Sequence, residues 1–222
     1  MGQHGFARDK EFVCRKQKEE EIWFELQDDE ETRSQYPFVF TLMIGYRLRG
    51  QALSVIWRVK NGSQQEKMYF SIGAHPAFVC PWAEHPEIPY RLGFAGKEKL
   101  SYRFLNGDGL LEEKVHTLLS ENGEKTITPD FFDESAYVFE DGQLSEIALE
   151  TPEGEAYVTV RFDAPVVGIW SPEKKHAPFV CIEPWYGRCD KADFNGSLEE
   201  REWGNVLMPQ EEFERSYEII FG

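Results

Sequence analysis

The strongest constraint in this chain is a period of two. From Phe38 the apolar residues fall on even positions, Phe38, Phe40, Leu42, Ile44, Tyr46 and Leu48. Thr41, Gly45, Arg47 and Arg49 take the other side, interrupted by Val39 and Met43. Alternation of this kind places one face of an extended strand against a core, because successive side chains point to opposite faces of a sheet. Leu53, Val55, Trp57 and Val59 repeat the pattern on odd positions and end at Asn61-Gly62, a strong turn signal after an alternating strand. Met68, Phe70 and Ile72 predict the next strand. Further strands follow over Ile147 to Leu149, Tyr157 to Phe162, Val166 to Trp170 and Phe179 to Glu183, with Pro152-Glu153-Gly154 turning between the first two. Phe213, Tyr217, Ile219 and Phe221 close the series.

Helical periodicity is nearly absent. Leu198 to Trp203 predicts one short helical turn, and the acidic stretch Asp28 to Glu31 reads as a turn. The stretch from Pro81 to Asp133, rich in Gly, Pro and Asn, is the least regular part. Many strands with turns at short intervals predict an all-β antiparallel sandwich. No shift in composition marks a linker, so residues 1–222 are read as a single domain.

The 41% hydrophobic content supplies a sizeable core, and the formal net charge of −16 narrows the partners. Nucleic acid phosphates and anionic membrane surfaces would be repelled, whereas a neutral ligand such as a sugar would not. No apolar run reaches membrane-spanning length. Cys14, Cys80, Cys181 and Cys189 form no CxxC pair. They read as buried free thiols of a reducing compartment, and a cytoplasmic location is the expectation.

Two segments carry candidate chemistry, Gly73-Ala74-His75-Pro76-Ala77-Phe78 and Cys181-Ile182-Glu183-Pro184-Trp185-Tyr186-Gly187. Each ends an apolar run and sets one titratable side chain before a proline. Proline fixes its own φ and holds the preceding residue out of the helical region, so His75 and Glu183 sit at stiff strand exits. His75, beside Gly73, Ala74 and Ala77, is the candidate acid. Glu183, after Phe179-Val180-Cys181-Ile182, is the candidate base with a pKa raised by burial. Trp82, Trp185 and Tyr186 are placed to stack on a sugar ring, and Trp170 is expected in the core. His85, His116 and His176 take no role, and the histidines lack metal-ligand spacing, so no metal is expected. There is no GxSxG, P-loop or GxGxxG pattern.

The segments GAHPAF and FVCIEPWYGRCD, with the ending NVLMPQEEFERSYEIIF and HGFARDKEF near the start, resemble the aldose 1-epimerase (galactose mutarotase-like) superfamily, in particular its LacX-type branch. The resemblance covers essentially the whole chain. It implies a galactose mutarotase-like β-sandwich, or supersandwich, and interconversion of the α and β anomers of a free aldose. It implies that Glu183 takes the proton of the C1 hydroxyl, that His75 protonates the ring oxygen, and that His4 holds substrate. The implied sugar-binding set is His4, Arg8, Trp185, Tyr186 and Arg188, and no cofactor or metal is implied. Family members carry several strands upstream of the HGFAR segment, including one that bears an arginine. The chain enters that segment at Met1-Gly2-Gln3. The expectation is a version short of those strands, with His4 on a loose terminus and a sheet edge exposed. Many relatives carry an acidic residue before the strand near Tyr137 to Phe139, and the resemblance leaves three readings for it here, Asp133, Glu134 or neither. Two other readings stand beside the first. One is a hexose 6-phosphate epimerase using Arg8, Arg188 and Lys191 as phosphate cations. The other is a non-catalytic sugar-binding remnant. The expected partner is a small sugar, with no nucleic acid and no membrane, and the chain a monomer or homodimer.

Overall fold

The computed structural model describes residues 2, 4–81, 85 and 87–222. Trp82 lies outside them. The fold is two antiparallel β-layers around one main core. The larger sheet has nine strands: β1 (Val13–Lys18), β2 (Glu21–Gln27), β3 (Phe40–Arg49), β4 (Ala52–Asn61), β8 (Arg91–Gly93), β11 (Glu124–Thr126), β13 (Glu146–Glu150), β14 (Ala156–Phe162) and β18 (Glu212–Phe221). Their order across the sheet is β1-β2-β3-β4-β18-β14-β13-β8-β11. The smaller sheet contains β6 (Ile72–Gly73), β7 (Ala77–Val79), β12 (Tyr137–Phe139), β15 (Val166–Trp170) and β16 (Phe179–Tyr186). It runs β12-β15-β16-β6, with β7 also paired to β16. Two ribbons complete the structure, β5 (Met68–Phe70) with β17 (Asn205–Leu207), and β9 (Lys99–Tyr102) with β10 (His116–Leu119).

Alternation explains the core. The inward faces of the two sheets meet at Leu92, Phe94, Phe139, Ile147, Leu149, Val160, Ile169 and Ile182, all buried. A second cluster packs Leu26, Phe40, Leu42, Val59, Met68, Phe70 and Leu207, joined by Phe6 from the chain start. The long strand β3 departs from the sequence reading. Phe40 and Leu42 are buried, but Tyr46 and Leu48 on the same face are exposed. The apolar cover over this strand ends near Ile44, which both clusters touch.

Asn61-Gly62 ends β4, as its turn chemistry predicts, yet β5 does not fold back on β4. It pairs with β17, because the buried Asn61 amide donates to the carbonyls of Glu66, Leu207 and Met208 and ties the segments together. The short turn at Leu198–Glu200 is present. The stretch read as a turn at Asp28 to Glu31 instead opens a helix, α1 (Glu30–Gln35), capped by Asp29, whose carboxylate accepts from the Thr32 amide at 2.7 Å. Of the four cysteines, Cys14 is exposed on the edge strand β1, contrary to the expectation of a buried thiol. Cys80 and Cys181 are buried and Cys189 is half-buried. No described helix is long and apolar enough to cross a membrane.

Candidate active site

Strand β16 sorts its residues by parity. Val180, Ile182 and Tyr186 point into the main core, while Cys181, Glu183 and Trp185 share the outer face of the smaller sheet. On neighbouring strands, Gly168 stands opposite Glu183, Trp170 opposite Cys181, and Gly73 opposite Trp185. The Trp185 indole lies flat on the sheet between two glycines. A Cβ built on Gly73 would come within 2.5 Å of its ring, and one on Gly168 within 2.6 Å. Its N–H donates to the Ala74 carbonyl at 3.3 Å. The two glycines give the sheet a flat aromatic floor.

His75 stands above that floor because the chain cannot continue as a strand there. Ala74 still donates to the Pro184 carbonyl, at 3.0 Å, but Pro76 lacks an N–H. The strand breaks between β6 and β7, and the imidazole projects from the gap. Its Nδ1 lies 3.3 Å from Oε1 of Glu183. The carboxylate is 5% exposed and the imidazole 39%, so one partner is sunk in the sheet and the other forms the rim. Burial pushes the Glu183 pKa up to about 8, opposed in part by the nearby Trp185 N–H. Burial lowers that of His75, and the positive charges of His4 and Arg8 act in the same direction. Both shifts disfavour the charged form of the group that carries them.

The chain start completes the rim. The His4 ring centroid is 5.4 Å from that of His75. The expected loose terminus is anchored at Phe6, whose ring packs at 5.7 Å against both Tyr36 and Phe40. Arg8 follows in a short turn at Ala7–Asp9, exposed and paired with Asp9. Trp170, expected in the core, is half-exposed and meets His75 edge-to-face at 5.5 Å. Its N–H donates to Glu173 at 3.1 Å. Cys181 was not singled out as a site residue, yet ligand-type atoms of His75, Cys181 and Glu183 all lie within 4.8 Å of one another. Burial, followed by the Glu183 charge, pushes its thiol up to about 12, so it is a neutral thiol and not a nucleophile.

Two residues of the expected sugar-binding set lie elsewhere. Tyr186 faces inward, edge-on to Trp57 and Phe213, with its hydroxyl donating to Asp163. Parity forbids it the face of Glu183. The Arg188 side chain is 2% exposed, bonded to Glu140 at 2.7 Å and to Glu202. Glu140 is also bonded by Arg103 and by the Trp203 indole N–H, at 2.9 Å from the latter. Lys191 is paired with Glu202 at 2.8 Å. Asp133 and Glu134 line a cleft of about 800 Å³ with Tyr102, Phe104, His116 and Tyr137, and none of His75, Glu183 or Trp185 belongs to its wall.

The sequence model of the aldose 1-epimerase family matches residues 1–218. The chain belongs to this family. It is similar to the chromosomal protein LacX of Lactococcus lactis subsp. lactis, 28% identical over 221 residues, which covers 97% of this chain and 73% of that protein. Among solved structures it is similar to a galactose mutarotase related enzyme from Lactobacillus acidophilus, 33% identical with a TM-score of 0.90. That match covers 100% of this chain and 74% of the other. A galactose mutarotase-like protein from Lactobacillus casei is 26% identical, also with a TM-score of 0.90, over 100% of this chain and 76% of its own. The all-β antiparallel sandwich read from the alternation is the galactose mutarotase-like fold of these relatives.

Proposed function

We propose that this protein interconverts the α and β anomers of a free, uncharged hexose. The observation that carries the reading is the contact of 3.3 Å between His75 Nδ1 and Glu183 Oε1 on the outer face of the smaller sheet. Anomer exchange needs one proton removed from the C1 hydroxyl and one delivered to the ring oxygen, with no net gain or loss. An imidazole and a carboxyl group in contact can meet that requirement, one taking a proton as the other gives one. With the proton on His75, the Glu183 carboxylate takes the O1 proton, the C1–O1 bond becomes a carbonyl, and the C1–O5 bond breaks. His75 then gives its proton to O5. The pair is left as neutral imidazole and protonated carboxyl. After rotation about C1–C2, ring closure on the other carbonyl face runs the same transfers backwards. The raised pKa of Glu183 suits a base that must take and return a proton near neutrality.

The remaining groups have positioning roles in this reading. The Trp185 indole supplies a flat apolar surface for a pyranose face. His4 stands where it can donate to a hydroxyl, and Trp170 walls the imidazole. A free sugar is favoured over a sugar phosphate because Arg188 and Lys191 are held by Glu140 and Glu202, which leaves Arg8 alone near the pair. Polarimetry on fresh α-glucose and α-galactose tests the reading. Decay faster than buffer, saturable by free hexose, supports it. Decay equal to buffer with retained sugar binding marks a non-catalytic sugar-binding protein. Saturation by hexose 6-phosphate alone marks the phosphate-specific alternative.

A further inference from the structure

The outer face of β16 carries one group that acid–base chemistry leaves unused. Cys181 sits two residues before Glu183, buried, with its sulfur beside the His75–Glu183 pair. Imidazole, thiol and carboxylate are the three commonest zinc ligands, and three protein ligands with one open position is a familiar zinc arrangement. We propose that His75, Cys181 and Glu183 form a binding site for one borderline-soft divalent cation, zinc in chemical class, whose occupancy shuts off the proton relay.

The geometry is close to what the ion needs. Zn–N and Zn–O bonds of about 2.0–2.2 Å and a Zn–S bond of about 2.3 Å set tetrahedral ligand pairs roughly 3.3–3.6 Å apart. His75 Nδ1 and Glu183 Oε1 are already 3.3 Å apart, and no pair in the cluster exceeds 4.8 Å. Two of the three ligands are buried, and His75 forms the rim through which the ion enters. On binding, the thiol loses its proton to solvent, because coordinated sulfur is thiolate. The imidazole Nδ1 lone pair and a carboxylate oxygen are used in the metal bonds. The imidazole then has no free Nδ1 to carry a proton, and the cation makes the carboxylate a much weaker base, so the metal-bound form is inactive. Hard cations such as Mg²⁺ have no affinity for a site with thiolate and imidazole donors. The inhibitory consequence rests on the epimerase reading, whereas the binding itself does not.

The test is a titration of the purified full chain with Co²⁺, followed by displacement with Zn²⁺. The expected result is one Co²⁺ per chain, with a sulfur-to-cobalt charge-transfer band and tetrahedral ligand-field bands, all erased by equimolar Zn²⁺ and unaffected by Mg²⁺. Cys181→Ser should remove the charge-transfer band and weaken binding at least tenfold. Cys14→Ser, which alters an exposed thiol on the edge strand, should keep the band. If Cys181 variants fail to fold, His75→Ala at the exposed rim serves instead and should also lose at least tenfold in affinity. Absence of the band in the parent, its survival in Cys181→Ser, or unchanged Co²⁺ affinity in His75→Ala overturns the proposal. Mutarotation in the same samples separates the two readings. A chain that binds Co²⁺ without turnover contradicts the epimerase reading alone. A chain that turns over and shows no band contradicts the metal site alone. Where both hold, equimolar Zn²⁺ should slow the parent at least tenfold, and each variant is judged against its own metal-free rate.

Discussion

Replacing Gly168 by alanine tests the floor of the site. The backbone at Gly168 is ordinary strand, so the substitution carries no conformational penalty of its own. The added methyl would lie 2.6 Å from two carbons of the Trp185 ring, where ordinary contact begins near 3.4 Å. The other end of the same indole lies over Gly73, where an added Cβ would come within 2.5 Å, so the ring is seated close to the backbone of both strands. It must lift from the sheet and stretch its hydrogen bond to Ala74. Overpacking of this kind costs about 1–3 kcal/mol. For a chain of this size each kcal/mol lowers Tm by about 2–4 °C, so a fall of roughly 2–12 °C is expected. The decisive assay is a double-mutant cycle by chemical denaturation, with Gly168→Ala made in the parent and in Trp185→Ala. The cost should vanish in the second background, giving a coupling energy of about 1–3 kcal/mol. Equal costs in both backgrounds would mean that the indole does not lie over Gly168, and the account of the floor would fail.

Glu140→Ala should strip Arg188 and Arg103 of their shared carboxylate and cost about 3–5 kcal/mol, read from denaturant midpoints; a loss under 1 kcal/mol would contradict the buried network. Trp170→Ala removes the edge-on neighbour of His75, an aromatic contact typically worth about 0.5–1.5 kcal/mol, and should slow mutarotation up to about tenfold with the fold intact by circular dichroism. An unchanged rate would remove Trp170 from the site. His4→Ala should raise KM more than it lowers kcat; the opposite split would give His4 a proton-transfer role. Glu150 is a half-buried carboxylate whose buried Oε2 has no hydrogen-bond partner among the described residues, with a pKa raised by burial and by Glu124. A carboxyl raised in the folded state penalises the fold once pH exceeds its unfolded value. Glu150→Gln should therefore raise Tm at pH 8 and leave it unchanged or lower at pH 4, and a larger gain at pH 4 would reverse the sign of the argument.

How much of this was legible in the sequence depends on the range of the interaction. Strand alternation is local, and it located the core strands and the strand break at His75, whereas Glu183, read as a strand exit, lies inside β16, which stays paired through Pro184 and Trp185. The same rule, applied one residue further, sends Tyr186 to the face opposite Glu183 and brings Cys181 onto it, so both placements were available from parity. Trp170 was misplaced because its face depends on register with Cys181, a pairing across strands that parity within β15 does not reveal. Arg188 looked free because its partner Glu140 is 48 residues away. The flat seat of Trp185 needs Gly73 and Gly168 on two different strands at once, which only the assembled sheet supplies. Helix α1 escaped notice because its six residues carry no apolar stripe, and its signal lies in the Asp29–Thr32 cap.

The central claim is that His75 and Glu183 exchange one proton with a sugar. The direct measurement is the polarimetric decay of fresh α-galactose and α-glucose with the parent and with Glu183→Gln, a substitution that keeps the shape and removes the base. The account predicts a protein-dependent rate in the parent that falls at least a hundredfold in the variant, with both chains equally folded by circular dichroism. Equal rates in parent and variant, both above buffer, would contradict it.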